Sequence, residues 1–112
     1  MVSPQPLRTG KTSAPGHLGR EESELFGLVV RNYDLRDEIS LRILEEGCAS
    51  LQRARLAREG IAKSGMTYID GKGQPKPNPL CAVERDSRAA GLAAFRQLNL
   101  EMPRLPGKKA WT

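Results

Sequence analysis

The sequence predicts a mainly α fold: a three-helix subunit with a long central helix and a small β-hairpin, assembling into a ring. Three observations point there. Apolar residues recur at helical spacings over three stretches. The run Gly65 to Leu80, GMTYIDGKGQPKPNPL, interrupts that pattern with strand and turn residues. The charge is divided along the chain, which suits contact between unlike patches of successive copies. A chain of 112 residues with 38% hydrophobic content is one small domain with a modest core, for which oligomerisation is a common remedy.

The first helix is expected at about residues 20–32. Glu21, Glu22 and Glu24 suit the positive end of its dipole, and Leu25, Leu28 and Val29 are expected to face inward. Tyr33-Asp34-Leu35 makes a short corner, and Asp34 or Asp37 caps a second helix that runs to about residue 64. Its apolar seam is Leu41, Leu44, Cys48 and Leu51, a narrow stripe. Gly47 and Gly60 each weaken the helix by about 1 kcal/mol relative to alanine; Gly47, beside the seam, permits close approach of a neighbouring helix. Such a helix reaches about 40 Å. Glu38, Glu45 and Glu46 lie in its first half, and Arg53, Arg55, Arg58 and Lys63 in its second, which complements the helix dipole.

Gly65 supplies the C-terminal cap. Met66-Thr67-Tyr68-Ile69 combines residue types that fit a pleated, half-buried surface. Asp70-Gly71-Lys72-Gly73 reads as the turn, because glycine takes positive φ without steric cost. Pro75 and Pro77 lack N–H donors, so the return limb is at best an edge strand. Asn78 then caps a third helix and Pro79 suits its first position. That helix runs to about Leu98, with Leu80, Val83, Ala90, Ala94 and Leu98 on one face and Phe95 beside them. Asn99 ends it in a left-handed conformation, and Glu84, Arg85, Asp86 and Arg88 read as its solvated side. The expected organisation is therefore a disordered basic tail over 1–16, a helical oligomerisation core over 17–100 with its hairpin at 66–77, and a basic tail over 101–112.

The net charge of +5 sits wholly in the tails, +3 in residues 1–20 and +2 in residues 101–112. The neutral core is dipolar, with −5 over residues 21–46 and +5 over residues 47–100. No apolar run approaches a membrane span, and the first residues lack a signal-peptide core, so a cytosolic chain is expected. Cys48 and Cys81 lack metal or redox spacing and read as free thiols. Gly10-Lys11-Thr12 resembles the end of a phosphate loop, but Gln5 stands where that motif needs glycine. His17 is the only histidine, no nucleophile–base pair is apparent, and metal-ligand spacing is missing. Glu59, Asp70, Glu84 and Asp86 read as scattered surface acids rather than a Mg²⁺ site. The expectation is a non-enzyme without cofactor or metal.

The order of parts resembles the compact family of phage terminase small subunits. Pro15 and Leu18 open it; a short acidic-start helix and a long helix closing on Gly65-Met66-Thr67-Tyr68 follow. Then come the Gly-rich turn, Asn78-Pro79 and a last helix closing on Gln97-Leu98-Asn99-Leu100, so that roughly residues 15–105 are covered. The chain departs from the family pattern at Asn99, usually glycine, at Glu101-Met102-Pro103, and at Phe26, where tryptophan is often found.

The resemblance implies a ring-shaped homo-oligomer that engages double-stranded viral DNA in the host cytoplasm. It passes this DNA to a large terminase subunit, which holds the ATPase and nuclease. On that basis the expected ring has more than four subunits. Arg8, Lys11, Arg20, Lys108 and Lys109 are expected to contact DNA phosphates, with Arg53, Arg55 and Arg58 as a competing site. Leu105 and Trp111 mark a docking segment for the large subunit. Two other classes fit the composition: a small DNA-binding transcriptional regulator, for which no convincing helix-turn-helix is present, and a plain protein-interaction module.

Overall fold

The computed structural model describes residues 13–100. In chain order these form α1 (Arg20–Tyr33), α2 (Glu38–Ser64), β1 (Thr67–Ile69), β2 (Pro75–Pro77) and α3 (Pro79–Leu98). The fold is mainly helical, with one two-stranded antiparallel hairpin. Asp34, in the left-handed conformation, ends α1, and Asp37 accepts a hydrogen bond from the Ser40 N–H at 2.9 Å to open α2. Asn99 ends α3, also left-handed at φ 54°.

The core is Leu18, Phe26, Val29, Val30, Leu44 and Cys48, with Leu25, Tyr33, Leu35, Leu41, Phe95 and Leu98 packed around it. Burial pushes the Cys48 thiol up to about 11, helped by the charge of Glu22, so it remains protonated. Ala14, inside the stretch expected to be a tail, also packs on this core. α1 presents Glu22, Phe26, Val29 and Val30 inward, and Leu28 is half exposed. Of the expected face, Val29 is buried and Leu25 packs on the core, while Phe26 and Val30 take the place of Leu28. Burying the Phe26 ring turns Leu28 outward.

Beyond Cys48 the α2 side of the packing is made of small residues. Ser50, Ala54 and Ala57 are buried, as is Gly47. They face Ser87 and Gly91, the two buried positions of α3. A Cβ on Gly91 would lie 2.6 Å from Leu51 Cδ2 and 3.1 Å from the Gly47 carbonyl oxygen. One on Gly47 would lie 3.0 Å from Ala94 Cβ. The close approach expected at Gly47 is therefore present. The two helices run antiparallel, with Leu80 beside Gly60 at one end and Phe95 beside Gly47 at the other.

Of the expected inner face of α3, Leu80, Ala94, Phe95 and Leu98 do pack inward, and the middle of it needs correction. Val83 and Ala90 are exposed, whereas Glu84, Ser87 and Gly91 turn toward α2. With glycine and serine of α3 facing glycine and alanine of α2, the middle of the interface is too close for large side chains from α3.

The hairpin pairs Thr67 with Pro77, Tyr68 with Lys76 and Ile69 with Pro75. Asn78 N–H donates to the Met66 carbonyl and Asp70 N–H to the Gln74 carbonyl. Alternation along an antiparallel ladder then makes Tyr68–Lys76 the hydrogen-bonded pair between them. Pro75 and Pro77 consequently fall where an N–H would point outward, so they leave the ladder intact and blunt the outer edge of β2. The turn is a three-residue loop in which Gly73, not Gly71, takes positive φ at 79°. Asp70 Oδ1 accepts from the N–H groups of Lys72 and Gln74 at 2.8 and 2.9 Å. The half-buried surface expected for β1 is not found: Met66, Thr67, Tyr68 and Ile69 are all exposed.

Candidate functional site

Two features stand out from the fold: a polar seam that joins the three helices, and the hairpin, whose strands are exposed along their whole length among the described residues. The seam begins at Glu22. Its position on the inward face of α1 buries it to 5% exposure, which only a strong partner makes tolerable. Arg55 of α2 supplies that partner through two parallel bonds, Nε to Oε2 at 2.9 Å and a terminal nitrogen to Oε1 at 3.0 Å. The Arg55 bonds hold the Glu22 carboxyl below the usual range, against the opposing effect of burial. Arg55 also reaches Glu59 at 2.9 Å, one helical turn on.

The seam continues to α3. Glu84 accepts from Arg88 at 3.0 Å and from Arg58 at 3.1 Å, and these two cations lower its pKa, Arg88 the more. Glu84 is thus an α2–α3 tie, which corrects its expected place on the solvated side of α3. Above the seam a groove of about 330 Å³ has Leu25, Leu51 and Leu92 in its lining and Arg55, Arg58 and Arg88 beside them. Each guanidinium there already meets a carboxylate. The arrangement holds helices together and offers no free nucleophile or base.

The segment before α1 is tied to α2 in the same manner. Gln52 accepts from the Gly19 N–H and donates to the His17 carbonyl oxygen at 3.4 Å. His17 Nε2 lies 2.7 Å from Glu45 Oε2. At the other end, Asn78 accepts from the Leu80 N–H at 2.9 Å and donates to the Gly65 carbonyl at 2.7 Å and Ser64 Oγ at 2.9 Å. One side chain therefore caps α3 and clamps the base of the hairpin.

The residues expected to contact DNA are separated by this geometry. Arg20 begins α1 with its side chain 91% exposed, 3.5 Å from Glu24. Arg53 is exposed and donates to Ser50 Oγ. Arg55 and Arg58 are committed to Glu22, Glu59 and Glu84, so the three arginines of α2 do not form one outward patch. Arg8, Lys11, Leu105, Lys108, Lys109 and Trp111 lie outside the described residues. Glu59, Glu84 and Asp86 each pair with an arginine, and Asp70 folds back on its own turn. No cluster of three or more potential metal ligands occurs among the described residues. Nor is any described helix long and apolar enough to cross a membrane.

Sequence reading missed the Glu22–Arg55 pair and the exposed lysines of the hairpin, Lys72 and Lys76. Glu22 carried a signal: it stands four residues before Phe26 and seven before Val29, in phase with the core face. The chain matches no family model, no curated protein and no solved structure.

Proposed function

We propose that this chain is the small subunit of a tailed-phage terminase, a ring-forming protein that binds viral DNA in the host cytoplasm and has no turnover of its own. It presents that DNA to the large subunit, where ATP hydrolysis and cutting reside. The observation that supports this reading is where the element boundaries fall. Gly65 closes α2, Asn78-Pro79 opens α3 and Asn99 closes it, with the hairpin between. Each short motif behind the resemblance is a joint of the fold.

DNA contact in this reading rests on the basic tails, Arg20 and Arg53. Arg55 and Arg58 are spent on the chain's own carboxylates. A ring multiplies the tails into a basic collar, and phosphate contacts of that kind release counterions, so affinity falls steeply with salt. Docking of the large subunit is assigned to Leu105 and Trp111, an apolar pair in a basic segment. A ring holding both DNA and the large subunit makes their second encounter effectively intramolecular.

The test combines DNA binding over a salt series with an ATPase assay on purified large subunit. Full-length protein is expected to bind duplex DNA with a steep salt slope, to hydrolyse no ATP alone and to raise the large subunit's rate. Removing residues 1–12, which spares Ala14 and Leu18, is expected to flatten the slope. Absence of DNA binding, or ATP hydrolysis by this chain alone, overturns the reading.

A further inference from the structure

The three most exposed large apolar side chains among the described residues lie at opposite ends of α2. Ile39, at its first turn, is 73% exposed; Met66 and Ile69, beyond its last turn, are 68% and 66% exposed. About 25 residues of helix separate the two sites, close to 38 Å at 1.5 Å per residue. The two cannot meet within one chain.

Each end has a shape that suits the other. The hairpin register places Thr67, Ile69, Pro75 and Pro77 on one face, and all four are exposed. An isolated two-stranded hairpin is marginal in water and needs something to pack on. This one is held ready by the Asn78 clamp at its base and the Asp70 bonds in its turn. At the opposite end, a groove of about 500 Å³ is lined by Pro15, Phe26, Ile39 and Leu41, with Glu38, Arg42 and Glu45 also in its lining.

The charges agree in sign. Between Gly60 and Val83 the bases are Lys63, Lys72 and Lys76, and the only acid is Asp70, whose Oδ1 is engaged by backbone amides. The groove carries Glu38 and Glu45, the latter 2.7 Å from His17 Nε2, against the single guanidinium of Arg42. We infer that the hairpin of one copy seats in the groove at the start of α2 of the next copy, with Ile69 against Ile39 and Lys72, in the turn, toward Glu38; Lys76, paired with Tyr68, lies on the opposite face of the hairpin. The contact is heterologous, joining two different surfaces of the same chain, so it propagates from copy to copy until rotation closes it. It rests on the assembly reading above and names the surfaces that reading requires.

A heterologous contact can be broken at either side and then complemented. The Ile69→Asp variant loses its hairpin face and keeps its groove; Ile39→Asp does the reverse. Both positions face solvent in the single chain, so both variants should fold, which circular dichroism checks. By light scattering on a sizing column, each variant alone is expected to fall to the mass of one chain. An equimolar mixture is expected to yield a capped dimer, because one intact hairpin and one intact groove remain.

Retention of the wild-type mass by either variant alone, or failure of the mixture to dimerise, overturns the inference. A loss of DNA affinity in Ile69→Asp with its mass unchanged would assign the hairpin to nucleic acid instead and also overturns it. A monomeric wild type removes the assembly reading itself, so the two failures are told apart.

Discussion

Glu22 shows how one residue sets the electrostatics of the fold. Because its carboxyl is held below the usual range by Arg55, the folded chain binds fewer protons than the unfolded chain in the acid region. The stability from this residue is therefore fully present above the ordinary glutamate value. It is lost as pH falls through the lowered folded value. Glu84 behaves in the same way through Arg88 and Arg58 and contributes its own share. In Glu22→Gln the first contribution is absent, so the fall in urea midpoint from about pH 6 to pH 3 should be shallower than in wild type. Arg55→Met leaves the buried carboxyl without its cation, and burial then raises its pKa. That variant should be the least stable at neutral pH and should lose less, or even gain, on mild acidification. Parallel pH curves for all three proteins would show that the pair does not couple to folding.

At the scale of the elements, the α2–α3 interface decides the geometry. Its closeness depends on Gly91, where an added Cβ meets Leu51 and the Gly47 backbone. Gly91→Ala gains about 1 kcal/mol of helix propensity but overpacks a tight contact at a cost of about 1–3 kcal/mol; the net effect should be destabilising. Gly27 in α1 meets only the flexible end of Arg31 at 3.2 Å, so Gly27→Ala should stabilise by about 0.5–1 kcal/mol. Thermal or urea unfolding of the two variants should shift in opposite directions. Shifts of the same sign would contradict the packing. The positions of the elements were legible in sequence because local chemistry sets them: Asp37, Asn78-Pro79 and Asn99 act within a few residues of themselves. The inward faces of α1 and α3 were less so. Apolar periodicity points to large side chains, whereas α3 packs through Ser87 and Gly91, and α1 buries a charge. The candidate site suffered for the same reason: Arg55 and Arg58 looked like a basic patch because their partners, Glu22 and Glu84, are 33 and 26 residues away.

For the whole molecule, the lengthwise charge division divides into two uses. Part is satisfied within the chain, where the acid of α1 meets the base of α2. Part remains at the ends, acidic near Glu38 and basic at Lys72 and Lys76. Exposed apolar side chains mark those same ends. Unlike ends on one chain favour head-to-tail growth, and a closed ring satisfies every copy equally. The central claim is that this chain works as such a ring, and the most direct measurement is native mass spectrometry of the purified full-length protein. The account predicts one discrete closed assembly of more than four copies, unchanged on dilution through the micromolar range. A monomer, a dimer or an open-ended ladder of masses would contradict it.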